Sequence, residues 1–312
     1  MRVLAFIGLA LAVAAGPVRA AEGGAGPAIH IEDVVDFYRV YDSGHGAPTA
    51  EALQGYLDHG SDGLHQFAQL RQLTGPSIAA AMAKQPKIYA DAKTCLDLLP
   101  AVKRRLGVAL RRLGDIYPAA RFPPITILVG RANSGGTTSP SAVLIGLEAL
   151  CSAGWMDPNP ENRFVHVVAH EYAHVQQPAS DVEPEHPTLL FAALLEGGAE
   201  FMAELTSGDV GYVTLKAWTK GREAEIETQF ATDRDKTDLA AWLYNGIGTP
   251  ERPGDLGYWV GYRIAKAFYI HAADKRQAIA RLLTVNADTA KTFLDDSGWA
   301  PGISLPDRVS PP

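Results

Sequence analysis

One stretch of the sequence, residues 164–174, reads FVHVVAHEYAH and follows Asn159-Pro160-Glu161. An asparagine N-cap, a first-turn proline and an early acid, followed by apolar residues at helical spacing, predict a helix that begins near these residues. His170 and His174 are one turn apart on that helix, so both imidazoles can bind one metal ion. Glu171 lies beside the ion as a general base, which is the arrangement of an HExxH zinc site. A histidine pair that packs on an amphipathic helix without a metal is the alternative.

A second apolar stretch supplies a candidate third ligand. Residues 189–201 read LLFAALLEGGAEF and place two acids one turn apart on a predicted helix. Because an unpaired buried carboxylate is costly, we predict that Glu196 is the third zinc ligand and that Glu200 orients a ligating imidazole through its other ring nitrogen. Two solvated acids on an exposed helix face are the alternative. Gly197 and Gly198 weaken a helix, so we expect another helix or the metal to approach closely there.

The neighbouring residues narrow the kind of site. An HExxHxxGxxH site needs glycine and histidine where the chain has Gln177 and Ser180, so that class is excluded. His166, one turn before His170, is a candidate for supporting a ligand or contacting substrate. An ordinary histidine at the rim of the site is the favoured alternative.

These motifs resemble the gluzincin class of zinc metallopeptidases, in which a helix some twenty residues after HExxH carries a ligating glutamate. Residues 195–201 are similar to the NEGFAEY segment of the aminopeptidase branch, although Leu195 replaces its asparagine. No GAMEN-like stretch precedes the motif, so aminopeptidase activity is not supported. Within the class, the resemblance is to a bacterial family of predicted zinc-dependent proteases of unknown function, related to gliding-motility lipoprotein B proteins. The segments that carry it are residues 145–148, 170–177, 195–201 and 257–262, within a likeness that runs from about residue 90 to the end.

The resemblance implies a zincin-like fold and a downstream hydroxyl that donates to the oxyanion of the reaction. Tyr258 and Tyr262 are the candidates, four residues apart on a helix predicted after the breaker-rich residues 249–254, and Tyr258 is preferred. Aromatic residues at helical spacing are more often core residues, which is the alternative. Arg263 is a candidate for binding a substrate carboxylate, or a solvated surface group.

The chain as a whole predicts an exported protein. Residues 1–20 have the charged, apolar and small-residue parts of a secretory signal peptide, with cleavage expected after Ala20 and a periplasmic or secreted location. No later stretch is long and apolar enough for a membrane span. The net charge of −7 argues against nucleic acid as a partner. Cys95 and Cys151 predict one disulfide or, nearly as readily, two buried free thiols.

The pattern of elements predicts an α+β fold that is predominantly α-helical. Residues 31–118 are expected to be helical, with breaks at residues 44–48 and 75–76. The chain from Glu200 to about residue 297 is also expected to be helical, with breaks at residues 207–208, 245–257 and 286. Residues 124–130 and 142–147 flank the loop 133–139 and predict a small antiparallel sheet beside the active-site helix. The second strand is a candidate edge for pairing with an extended substrate. The equally weighted alternative is that both strands only cover the helix. The predicted organisation is a signal peptide (1–20), a helical N-terminal region (21–120), a zincin-like catalytic domain (121–300) and a loosely ordered Pro-rich tail (301–312).

Together these features predict an exported zinc metallohydrolase, most readily an endopeptidase that acts on a peptide or protein substrate. The alternative is a cell-envelope binding protein that retains the metal site for folding or recognition and catalyses nothing.

Overall fold

A computed structural model describes residues 27–139, 141–178 and 185–312. The predicted signal peptide lies outside the described residues. The helices are α1 Glu32–Ser43, α2 Ala50–Asp58, α3 Asp62–Arg71, α4 Gly75–Lys84, α5 Pro86–Ala92, α6 Leu99–Ile116, α7 Leu147–Ser152, α8 Pro160–Gln176, α9 Leu189–Ser207, α10 Val213–Thr219, α11 Glu223–Asp233, α12 Leu256–His271, α13 Lys275–Leu283 and α14 Ala290–Asp296, with a 3₁₀ helix over Lys93–Leu98. The predominance of helix is therefore confirmed. Among the described residues, no helix combines the length and the apolar character needed to cross a bilayer.

The sheet has four strands in the order β1-β2-β4-β3, with β1 at Ile29–His30, β2 at Ile125–Leu128, β3 at Gly136–Ser139 and β4 at Ala142–Gly146. Both predicted strands form, but they are parallel neighbours, with Ile127 opposite Ile145. The antiparallel pairing predicted for them is wrong. The sheet is mixed, and its antiparallel pair is β3 with β4.

The error lies in the segment between the two predicted strands. Residues 133–139 were expected to be a loop because they are rich in Gly, Ser and Thr. In the structure, the last four of them form β3, in which two β-branched threonines have good strand propensity. The strand β4 therefore lies between β2 and β3, and β3 occupies the edge of the sheet. The role of edge strand predicted for β4 cannot apply to it.

The helices α9 and α12 cross in direct backbone contact. A Cβ atom added at Gly197 would overlap the backbone nitrogen of Tyr262, and one added at Gly261 would overlap the carbonyl of Ala193. The close approach predicted for the glycines of residues 197–198 is confirmed, and the partner is a helix. This crossing places one face of α12 beside the acids of α9.

The helical N-terminal region joins the rest of the chain through several contacts. A disulfide links Cys95 to Cys151, which decides between the two alternatives for the thiols. The strand β1 pairs with β2, and the Tyr89 hydroxyl donates to the Gly130 carbonyl at 3.1 Å. These contacts cross the boundary at residue 120, which stays a prediction.

The C-terminal tail is held against α12, contrary to the expectation of loose order. The Lys266 ammonium donates to the Asp307 carbonyl at 3.0 Å, and the Tyr269 hydroxyl donates to the Ser310 carbonyl at 2.9 Å. Arg263 is buried, pairs with Glu227 and donates to a tail carbonyl. Neither role predicted for Arg263 fits this position, because its guanidinium fastens the tail.

Candidate metal centre and cleft

The helix α8 begins as the sequence predicts and carries the two histidines on one face. The Asn159 side chain caps it by accepting from the backbone nitrogens of Glu161 and Asn162. The Nε2 atoms of His170 and His174 are 3.0 Å apart. Glu196 Oε2, from α9, lies 3.3 Å from the first of these nitrogens and 3.2 Å from the second.

The spacing of these three atoms fits a zinc ion. Four-coordinate zinc with bonds of about 2.0–2.1 Å holds its ligand atoms about 3.3 Å apart at the tetrahedral angle. The observed separations of 3.0, 3.2 and 3.3 Å match that value without any rearrangement of the backbone. Two imidazoles and a carboxylate are also a donor set that catalytic zinc sites use, with a fourth position left for water. The three residues can therefore hold zinc.

Each histidine is supported at its other ring nitrogen. Glu200 Oε1 lies 2.9 Å from His170 Nδ1, close enough for an ion pair although not aligned as a hydrogen bond. Glu200 Oε2 accepts from the backbone nitrogen of Gly211 at 2.7 Å, which fixes the carboxylate. His174 Nδ1 lies 2.7 Å from Gln177 Oε1, and the Gln177 amide donates to the Leu195 carbonyl. Such partners direct Nε2 of each imidazole toward a metal.

The three ligands share protons when no metal is bound to them. Burial opposes the charged form of His170, but contacts with Glu196 and Glu200 outweigh it and raise its pKa to about 10. Burial also opposes the charge of His174, and Glu196 raises its pKa by attraction. Burial opposes the charge of Glu196, yet the two histidines lower its pKa. A metal that binds here must displace protons from the imidazoles.

Glu171 lies at the floor of a cleft of about 860 Å³, which is also lined by the three candidate ligands. A Cβ atom at Gly136 would lie only 2.6 Å from Glu171 Oε1, so the edge strand β3 passes directly beside this carboxylate. A side chain at position 136 would therefore shift the Glu171 carboxylate from its place in the cleft. Burial raises the pKa of Glu171, although the two neighbouring histidines oppose the effect.

Two tyrosines also line the cleft. The Tyr258 ring stacks on His170, with centroids 6.1 Å apart and an angle of 23° between the planes. The Tyr244 hydroxyl donates to Glu196 Oε1 at 2.7 Å. Tyr244 belongs to the irregular segment 234–255, which is longer than the break predicted at residues 245–257. Tyr244 was not among the predicted site residues, because a tyrosine in a loop has no periodicity to mark it.

Two predicted site residues lie outside the cleft. The Tyr262 hydroxyl donates to the buried carboxylate of Glu204, which also pairs with Lys266 at 3.0 Å. His166 is buried, with Nδ1 at 2.7 Å from the Ser207 hydroxyl, and burial lowers its pKa. Tyr258 is thus the only one of the two predicted tyrosines that borders the cleft, and His166 does not line it.

A match to a protein family agrees with this chemistry. Residues 154–292 match the model of a family described as "Predicted Zn-dependent protease (DUF2268)". The matched range includes α8, α9 and α12, and with them the three candidate ligands, Glu171 and Tyr258. No curated protein and no solved structure matches the chain. The chain is thus similar, over less than half of its length, to a family of predicted zinc-dependent proteases.

Zinc affinity should rise with pH. Because His170 holds its proton up to a pKa of about 10 and the pKa of His174 is also raised, zinc competes with protons at both imidazoles. Each displaced proton contributes up to about tenfold in affinity per pH unit, so affinity should increase at least about tenfold from roughly pH 6 to pH 8. Competition with a chromophoric chelator measures this.

A matched pair of variants serves as the control for the zinc titration. His170→Gln should abolish tight binding, whereas His166→Gln, one turn earlier on α8, should leave both the affinity and its pH dependence intact. An affinity that does not change with pH, or equal losses in the two variants, would contradict the assignment of the ligands.

Proposed function

We propose that the protein is an exported zinc-dependent endopeptidase in which Glu171 is the general base. The observation that carries this proposal is the tetrahedral spacing of the His170, His174 and Glu196 atoms, with Glu171 beside them at the floor of an open cleft. The family match supports the metal and the class of reaction. The predicted signal peptide supports export, and a disulfide is typical of an oxidising compartment.

The chemistry assigned to each residue follows from its position. Zinc, when bound, would act as a Lewis acid and lower the pKa of a water molecule toward neutrality. Glu171 takes a proton at its carboxylate and later returns it to the leaving amine. A carboxylate whose pKa is raised by burial suits this exchange, because proton transfer is most efficient when the pKa approaches the working pH.

The edge strand β3 is suited to hold an extended peptide beside the base. An edge strand presents backbone N–H and C=O groups that are not taken up by a neighbouring strand, and an added peptide strand can pair with them. At Gly136 this edge lies against Glu171, so a peptide paired with β3 would pass the base. Recognition through the backbone fits an endopeptidase, since it needs no free chain end.

Tyr258 is assigned as the donor to the oxyanion. Its ring stacks on a ligating histidine at the wall of the cleft, and burial raises its pKa well above the usual value, so it remains a proton donor across the working pH range. Tyr244 is assigned a positioning role, because its hydroxyl donates to the Glu196 oxygen that does not face the histidines.

Glu171→Gln tests the general base. The variant should bind about one equivalent of zinc, as a three-ligand site does, while kcat for a cleaved peptide falls by about 10²–10⁴-fold. The matched control is Glu225→Gln, the same change at an exposed position of α11, which should leave kcat unaltered.

Peptide hydrolysis that survives in Glu171→Gln would contradict the mechanism. Loss of zinc in that variant would show that Glu171 is needed to bind the metal. If the wild-type protein binds zinc and cleaves no peptide, the binding protein is the better description.

Tyrosine-to-phenylalanine variants separate the two predicted tyrosines. Tyr258→Phe should lower kcat by about 10²–10³-fold with little change in stability, as expected for loss of one oxyanion donor. Tyr262→Phe should leave kcat nearly unchanged and lower the free energy of unfolding by about 1–3 kcal/mol, because Glu204 loses a buried hydrogen bond. Peptide kinetics and urea denaturation measure both. The reverse pattern would return the donor role to Tyr262.

A further inference from the structure

A guanidinium faces the same cleft without a carboxylate partner. Arg71 is the last residue of α3, is half-buried and lines the cleft. Its Nε donates to the Ser134 hydroxyl at 3.1 Å, and no described carboxylate lies within ion-pair distance of it. The Glu171 carboxyl is near enough for the Arg71 charge to oppose the rise in pKa that burial causes there, but no hydrogen bond or ion pair joins these two side chains. A half-buried guanidinium with no carboxylate in contact gains from binding one. The position is therefore prepared for an anion that arrives with the ligand.

The surroundings of Arg71 hold it near the reacting groups. The Arg131 guanidinium donates to the backbone carbonyl of Arg71 at 2.8 Å, which fastens the end of α3 to the segment that leads into β3. Ser134, the side-chain partner of Arg71, is two residues before Gly136, where β3 meets Glu171. Arg71 is therefore connected through Ser134 to the start of β3, the strand that passes beside Glu171.

The donor geometry of Arg71 leaves the outer part of its fork available. Only Nε makes a side-chain hydrogen bond to a described residue, so both Nη nitrogens can donate to a ligand. A planar pair of N–H donors matches the two oxygens of a carboxylate and prefers it to a single neutral acceptor.

The other charges in and near the cleft support the same assignment. Arg121 also lines the cleft, but its guanidinium donates to the Val175 carbonyl and is exposed, so it adds positive charge without an equally defined position. Arg263 on α12, the residue predicted to bind a substrate carboxylate, is already paired with Glu227 and does not line the cleft.

We propose that Arg71 is a specificity-determining residue that binds a carboxylate of the substrate close to the cleaved bond. The inference rests on the proposed peptidase function and adds the class of substrate: peptides with an acidic side chain, or a C-terminal carboxylate, in reach of Arg71. Both sources offer the same chemistry to the guanidinium, and the experiment distinguishes them.

The experiment uses the zinc-loaded protein and quenched fluorescent peptides in matched pairs. One series exchanges Glu for Gln at each position near the cleaved bond, and a second compares a free C-terminus with its amide. One pair should show a kcat/KM that is about 10- to 100-fold higher for the carboxylate member, as expected for a hydrogen-bonded charge pair. The pair that shows the preference identifies the source of the carboxylate.

Arg71→Gln tests whether the preference depends on this guanidinium. The variant should lose the preference through a raised KM for the carboxylate member, whereas the KM of the neutral member should stay close to that of the wild type. Arg71→Lys, which keeps the charge without the fork, should retain part of it. Arg111→Gln is the matched control, the same change at an exposed position of α6, and should keep the full preference.

The outcomes separate this inference from the proposed function. Hydrolysis with no preference in any pair, or equal losses for both members of a pair in Arg71→Gln and Arg71→Lys, would overturn the role of Arg71 and leave the peptidase intact. Absence of hydrolysis for every peptide would contradict the peptidase, and this inference with it.

Discussion

The backbone contact between α9 and α12 is the constraint on which the site depends. At Gly197 and Gly261 the two helices lie closer than any side chain would allow. The contact follows directly after Glu196 on one helix and comes one turn after Tyr258 on the other, so the crossing sets where both meet the histidines of α8. A methyl group at either glycine would force the helices apart, at a cost of about 1–3 kcal/mol by the general behaviour of overpacked cores. The same shift would move Tyr258 away from the Glu196 side of the site.

The parts of the site that lie on helices could be predicted from the sequence. His170 and His174 are one helical turn apart, and so are the two acids of α9. This spacing could be interpreted from the sequence because it depends only on residues within one or two turns of the same helix. The N-cap at Asn159 could be predicted for the same reason, since its hydrogen bonds reach only two and three residues along the chain. The glycines of α9 also indicated a close approach, although the sequence did not identify α12 as the partner.

The parts of the site that come from loops and strand edges could not be predicted. The strand β3 resembled a loop in composition, and only its pairing with β4 makes it an edge strand. Tyr244 and Arg71 reach the cleft through tertiary packing, with no spacing in the sequence that links them to the motif. Gln177 stood three residues after His174 and was used only to exclude another class of zinc site, although its amide supports that histidine.

The residues that line the cleft come from different parts of the chain. The metal ligands, Glu171 and the tyrosines lie within residues 154–292, which match the protease family. The edge strand and Arg71 precede residue 154, so the groups assigned to substrate recognition lie outside the matched range. The disulfide at Cys95 and Cys151 joins the helical region before the sheet to α7, which follows it. The residues to which we assign chemistry and those to which we assign specificity thus lie on separate segments that share one cleft.

X-ray absorption at the zinc edge of the zinc-loaded protein tests the central claim most directly. We expect two imidazole nitrogens at about 2.0–2.1 Å, oxygen ligands at about 2.0–2.2 Å and no sulfur, since both cysteines are taken up in the disulfide. Replacing His174 with Gln should remove one imidazole from the spectrum. Sulfur ligands, or a zinc ion surrounded by water with no imidazole, would contradict the account.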